Sequence, residues 1–101
     1  MTKKKLAAMK RRVKLLQEQL GKVGPLMRGS VVIIGTRNKQ PYFSCNKDGK
    51  TRLIYLGKKR EAQARKYLDN YKKLQKIVEE MTELNMVLLK KDYTTEKLGT
   101  G

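Results

Sequence analysis

The sequence predicts an α+β fold: an N-terminal helix, a three-stranded antiparallel β-meander and a long C-terminal helix, with the two helices paired as a coiled coil. Three observations carry this expectation. Apolar residues recur at helical spacing in residues 1–22. Residues 28–57 break into short β-branched and aromatic runs separated by turn formers. Residues 59–91 return to the helical period and contain neither glycine nor proline.

In the first segment Leu6, Met9, Val13, Leu16 and Leu20 form the narrow stripe of a coiled-coil seam, which Leu15 widens slightly. Gly21 and the Gly24-Pro25 pair supply stop signals. A helix of about 18 residues is marginal in isolation and needs a partner. Val31 to Ile34 is a β-branched run closed by Gly35, which reads as a buried strand. Thr36 to Gln40 is a polar connector, and Pro41 is tolerated only where the next strand, Tyr42 to Cys45, begins. Asp48-Gly49 is a two-residue hairpin signal, after which Lys50 to Leu56 alternates as a third strand ending at Gly57. A sheet of this size is barely stable alone, so one of its faces must lie on a helix.

On the long helix Tyr67, Leu74, Ile77, Met81, Leu84 and Leu88 share one heptad-spaced stripe, with Asn70 at a d position and Tyr71, Val78 and Leu89 widening it. At ~1.5 Å per residue such a helix extends roughly 50 Å, more than short strands can cover. Its distal half therefore needs the first helix or another copy of the chain. Residues 92–101 have weak helix signals and read as a flexible tail. At 101 residues, a single domain is expected.

Charge narrows the function. The chain carries 25 Lys and Arg against 9 Asp and Glu, a net +16. Residues 1–22 hold eight cations against Glu18, and residues 23–60 hold nine against Asp48. Residues 61–101 are nearly balanced, with eight cations and seven acids. Solubility needs no such segregation, so a polyanion partner is the stronger reading. With no histidine, His-dependent acid–base catalysis and His-ligated zinc are excluded. One cysteine gives neither a disulfide framework nor a Cys-rich metal site. Cys45 reads as a small core residue. No apolar run reaches the ~18 residues of a membrane span, and no signal-peptide core follows the basic start. A cytoplasmic, non-enzymatic protein without cofactor or metal is expected, associated with the nucleoid if the source is prokaryotic.

The candidate nucleic-acid contacts follow from these segments. Arg37, Lys39, Lys47, Lys50 and Arg52 lie on or beside the sheet, and together with Tyr42 or Tyr55 they give a basic surface that contains an aromatic. Which sheet face is buried depends on register, because a one-residue slip exchanges the faces. Arg11 and Lys14 lie off the apolar stripe of the first helix and can follow a phosphate backbone. Lys58, Lys59 and Arg60 begin the long helix, where the dipole favours anions and a bound phosphate would relieve their cost. Glu79, Glu80 and Glu83 read as solvated partners of Lys72, Lys73 and Lys76.

The runs Leu26-Met27-Arg28-Gly29-Ser30, Pro41-Tyr42-Phe43, Gly49-Lys50, Tyr55-Leu56-Gly57 and Asn70-Tyr71-Lys72-Lys73-Leu74 through Asn85 resemble a family of small basic proteins of unknown function. Its members are often encoded beside transposase genes in bacterial and archaeal mobile elements. The resemblance covers about residues 26–90. Many members have paired cysteines between the first strands; here Thr36-Arg37-Asn38-Lys39-Gln40 stands in their place, which puts any metal knuckle in doubt. A three-stranded sheet followed by a helix opening Lys58-Lys59-Arg60-Glu61-Ala62 is also similar to the arm-type DNA-binding domain of integrases, whose sheet enters the major groove.

Together these readings predict a non-enzymatic nucleic-acid-binding protein, a DNA-binding accessory factor of a mobile element. The sheet would grip a duplex or a structured RNA, with DNA slightly ahead of RNA. The alternatives are an RNA-binding subunit of a ribonucleoprotein, or a coiled-coil adaptor for an acidic partner protein. A homodimer or a larger protein partner is expected through the heptad stripes, and no membrane.

Overall fold

The computed structural model describes the backbone of residues 2–99 and the side chains of residues 2–91. The element order is α1 (Lys3–Gly21), β1 (Ser30–Ile34), β2 (Gln40–Lys47), β3 (Lys50–Tyr55) and α2 (Gly57–Gly99), an α+β arrangement. Helix α2 continues to Gly99, past the Lys91 end expected from the sequence. Residues 100–101 of the expected tail lie outside the described residues. The chain divides into two compact units. One contains Val23–Lys73; the other contains α1 and α2 from Leu74 onward.

The first of these units holds the sheet, in the order β1-β2-β3 with both pairs antiparallel. Asp48 (φ 53°) and Gly49 (φ 74°) both take positive φ, the type I′ geometry whose twist matches the strands it joins. That turn fixes Lys47 opposite Lys50 and so sets the register: Cys45 faces Arg52, Phe43 faces Ile54 and Tyr42 faces Tyr55. Directly opposed residues share a face, so Val31, Pro41, Phe43, Cys45, Lys47, Lys50, Arg52 and Ile54 lie on one side. Val32, Ile34, Gln40, Tyr42, Ser44, Leu53 and Tyr55 lie on the other. The helix covers the Phe43 side: Phe43, Leu56 and Ala64 are buried together, with Met27, Val31, Cys45 and Leu68 packed around them. Cys45 is a half-buried packing residue, as its strand position implied.

Two backbone details position this core. Gly29, at φ +155°, passes so close to β2 that a Cβ there would lie 2.5 Å from the Ser44 carbonyl oxygen and 2.6 Å from the Phe43 ring. The connector after α1 is tied to α2 by Asn70, 7% exposed, whose Nδ2 donates to the Pro25 carbonyl at 2.7 Å. The Met27 N–H adds a bond to the Tyr67 carbonyl at 3.3 Å.

In the other unit, the Thr2 hydroxyl caps α1 by accepting from the Lys5 N–H at 3.3 Å. Leu6, Met9 and Val13 are half-buried and Leu16 is fully buried, worth about 1.5–3 kcal/mol of apolar transfer for Leu16 alone. Leu20 is exposed, so the stripe ends a turn short of the helix end. On α2, Ile77 is buried, and Leu74, Met81, Leu84 and Leu88 are half-buried. Val78 and Leu89, expected to widen this stripe, are exposed instead.

Candidate nucleic-acid interface

The sheet unit carries most of the candidate cations. Arg37 and Lys39 sit in the β1–β2 connector, Lys47 and Lys50 flank the hairpin, Arg52 is on β3, and Lys58 and Lys59 open α2. All seven are exposed, and none is ion-paired among the described residues. Asp48, in the hairpin turn, is the only acid of residues 23–60. Lys47 and Lys50 are direct cross-strand neighbours, a like-charge pair that opposes closure of the hairpin. The first turn of α2 carries no acid either.

The register fixes where the aromatic residues lie. Lys47, Lys50 and Arg52 are on the Phe43 side of the sheet, whereas Tyr42 and Tyr55 are on the side that the helix leaves uncovered. The basic and aromatic residues therefore do not share one face; they meet along the β3 edge, where consecutive side chains alternate sides. The two tyrosine rings lie 5.5 Å apart at 55°, and the Tyr55 hydroxyl donates to Gln40 Oε1 at 3.2 Å. Their closeness follows from register. The Leu56 N–H donates to the Pro41 carbonyl, so the adjacent Tyr42–Tyr55 pair is a non-hydrogen-bonded one, in which side chains approach most closely.

Arg60 is partly committed to the fold: its Nε donates to the Leu56 carbonyl at 2.9 Å. Arg28 is held similarly, donating to the Asn46 carbonyl at 2.9 Å beside the Cys45 sulfur. No local pattern marks Arg28 for the hairpin end of the sheet, because its approach depends on the path of the connector before β1.

Arg11 and Lys14 are exposed on α1 and unpaired among the described residues. Their neighbour Arg12 is bound to Glu80 through two bonds, Nε to Oε2 at 2.5 Å and Nη2 to Oε1 at 2.9 Å. Glu80 is thus the partner of Arg12 rather than a solvated partner of a lysine on its own helix. The Arg12 hydrogen bond holds the Glu80 carboxyl below its ordinary range, and that bond together with the carboxylate charge raises Arg12. Arg65 pairs with Glu61 one turn earlier on α2. The acids of these pairs leave the sheet cations unneutralised.

No protein-family model matches the chain, and no curated protein or solved structure matches it. Among the described residues, no helix is long and apolar enough to cross a membrane.

Proposed function

We propose that this chain is a nucleic-acid-binding protein without catalytic activity of its own. One observation carries the reading: in the sheet segment Arg37, Lys39, Lys47, Lys50 and Arg52 are all exposed, none is ion-paired among the described residues, and Asp48 is their only acidic counterpart. Opposing Lys47 to Lys50 has a stability cost that a bound phosphate offsets. Lys58 and Lys59 add charge at a helix N-terminus, and Arg11 and Lys14 add charge on α1. DNA stands slightly ahead of RNA because a three-stranded sheet leading into a helix is the architecture of the arm-type integrase domain. The accessory role beside a transposase rests on the resemblance of residues 26–90.

The second reading is an adaptor that binds an acidic protein. It is favoured by apolar side chains exposed in the α1–α2 unit, namely Leu15, Val78, Met86 and Leu89. Pairing of α1 and α2 as a coiled coil, within one chain or between two, belongs to the same proposal.

Salt titration separates the readings. A chain making about six phosphate contacts loses roughly a thousandfold in affinity for a generic duplex between about 50 and 200 mM salt. A flat response, or no binding to DNA or RNA at low salt, excludes nucleic-acid binding and leaves the adaptor.

A further inference from the structure

Helix α2 packs over Phe43 on one side of the sheet, where Ile33 and Ile54 stay exposed, and leaves the other side open, so that Tyr42, Leu53, Tyr55 and Ile34 form an apolar and aromatic surface on which no residue is buried. Tyr55, Leu53 and Ile34 are 47%, 52% and 42% exposed. A sheet face of this composition in contact with water calls for an occupant. Its chemistry identifies one. The face bears no charged side chain: its polar groups are neutral, the amides of Gln40 and Asn46 and the hydroxyls of Ser30, Ser44 and Thr51. The charge lies immediately beside it. Along β3 the side chains alternate, with Lys50 and Arg52 directed to one side and Leu53 and Tyr55 reaching the other, from a strand exposed at every residue.

Building on the proposed function, we infer that this open face is a stacking platform for unpaired bases, and that the strand it prefers is single-stranded. The phosphate backbone follows the β3 edge against Lys50 and Arg52, and the bases turn over that edge onto Tyr55 and Tyr42. The tyrosine pair suits this role: the rings are 5.5 Å apart and tilted by 55°, so each presents part of its π surface to a different neighbour. The Gln40 bond to the Tyr55 hydroxyl holds the edge ring over the sheet. The eight residues of β2 span about 25 Å at ~3.3 Å each, room for a few nucleotides. A regular duplex keeps its bases stacked on one another and offers these rings nothing to stack on.

The test measures binding of the full chain at low salt to three probes of equal length, about 12 units each: oligo-dT, the same deoxyribose-phosphate strand without bases, and a duplex. Oligo-dT is expected to bind roughly tenfold or more tighter than the abasic strand of equal charge. Tyr55→Leu, at an exposed edge position, is expected to reduce oligo-dT to the abasic level and to leave the duplex unchanged. Thermal unfolding checks that the variant is folded, and the oligo-dT to abasic comparison needs no variant at all. Equal affinity for oligo-dT and the abasic strand overturns the platform. So does a folded Tyr55→Leu protein that binds oligo-dT normally, or one whose only change is loss of self-association, which assigns the face to a second copy. In each of these cases duplex binding leaves the proposed function standing. Failure to bind all three probes defeats the proposed function itself.

Discussion

Arg60 supplies to Leu56 the hydrogen bond that Pro41 cannot. The Leu56 N–H donates to the Pro41 carbonyl at 3.1 Å, and in an antiparallel pair of this kind the second bond runs back from residue 41 to the Leu56 carbonyl. Proline has no N–H, and Arg60 Nε reaches that carbonyl at 2.9 Å in its place. This explains how a proline occupies the central strand of the sheet. Arg60→Ala is expected to cost about 1 kcal/mol in chemical denaturation, and Pro41→Val, which restores an N–H, is expected to reduce that cost toward zero. Additive effects of the two substitutions would show that the carbonyl is satisfied some other way.

The order of elements was legible because each of its signals is local. The stripe from Leu6 to Leu16, the β-branched run Val31 to Ile34 and the Asp48-Gly49 turn act within a few residues of themselves. What the sequence left open depended on pairs far apart in it. Alternation along β3 separates Lys50 and Arg52 from Tyr55, but that Tyr42 joins Tyr55 on the other face followed only from the register. Pro41 is the second residue of its strand rather than the first, tolerated because Arg60 stands in for its missing donor. Arg12 and Glu80, 68 residues apart, cannot be matched by helical spacing, which pairs Glu80 only with the lysines of its own helix.

Asn70 occupies a position where the heptad pattern would put an apolar residue, and its role is to bind the connector. Its amide is buried and donates to the Pro25 carbonyl. Asn70→Leu keeps the volume and removes the donor, leaving that carbonyl without its partner. The expected loss is about 1–3 kcal/mol in the unfolding free energy. A variant as stable as the parent would mean that the connector is held by the Met27 N–H bond alone.

The Arg12–Glu80 pair makes the α1–α2 unit sensitive to acid. Because Glu80 titrates below its ordinary 4.5 when folded, the contribution of the pair is complete above that value and is lost as the pH falls through the depressed folded value. Arg12 stays charged throughout this window. Both side chains are substantially exposed, at 43% and 42%, so the effect is modest and screened by salt. The difference in melting temperature between the parent and Glu80→Gln is expected at neutral pH and should disappear as the pH falls through that depressed value. A difference that persists there would assign Glu80 a packing role instead.

Lys50 gives a test in which stability and binding move in opposite directions. It faces Lys47 across the hairpin, so Lys50→Glu replaces a repulsive pair with an attractive one, and a gain of about 0.2–1 kcal/mol in stability is expected. The same change removes a cation from the β3 edge and puts an anion in its place. Affinity for nucleic acid should fall, and for the milder Lys50→Ala the slope of log affinity against log salt should drop by about one unit. Arg52→Ala is expected to reduce the slope similarly, since it lies opposite Cys45 and no carboxylate pairs with it among the described residues. A more stable hairpin that binds less well is the signature of charge retained for a ligand. If both substitutions lower stability and leave the salt slope unchanged, these cations serve the fold and the contact surface lies elsewhere.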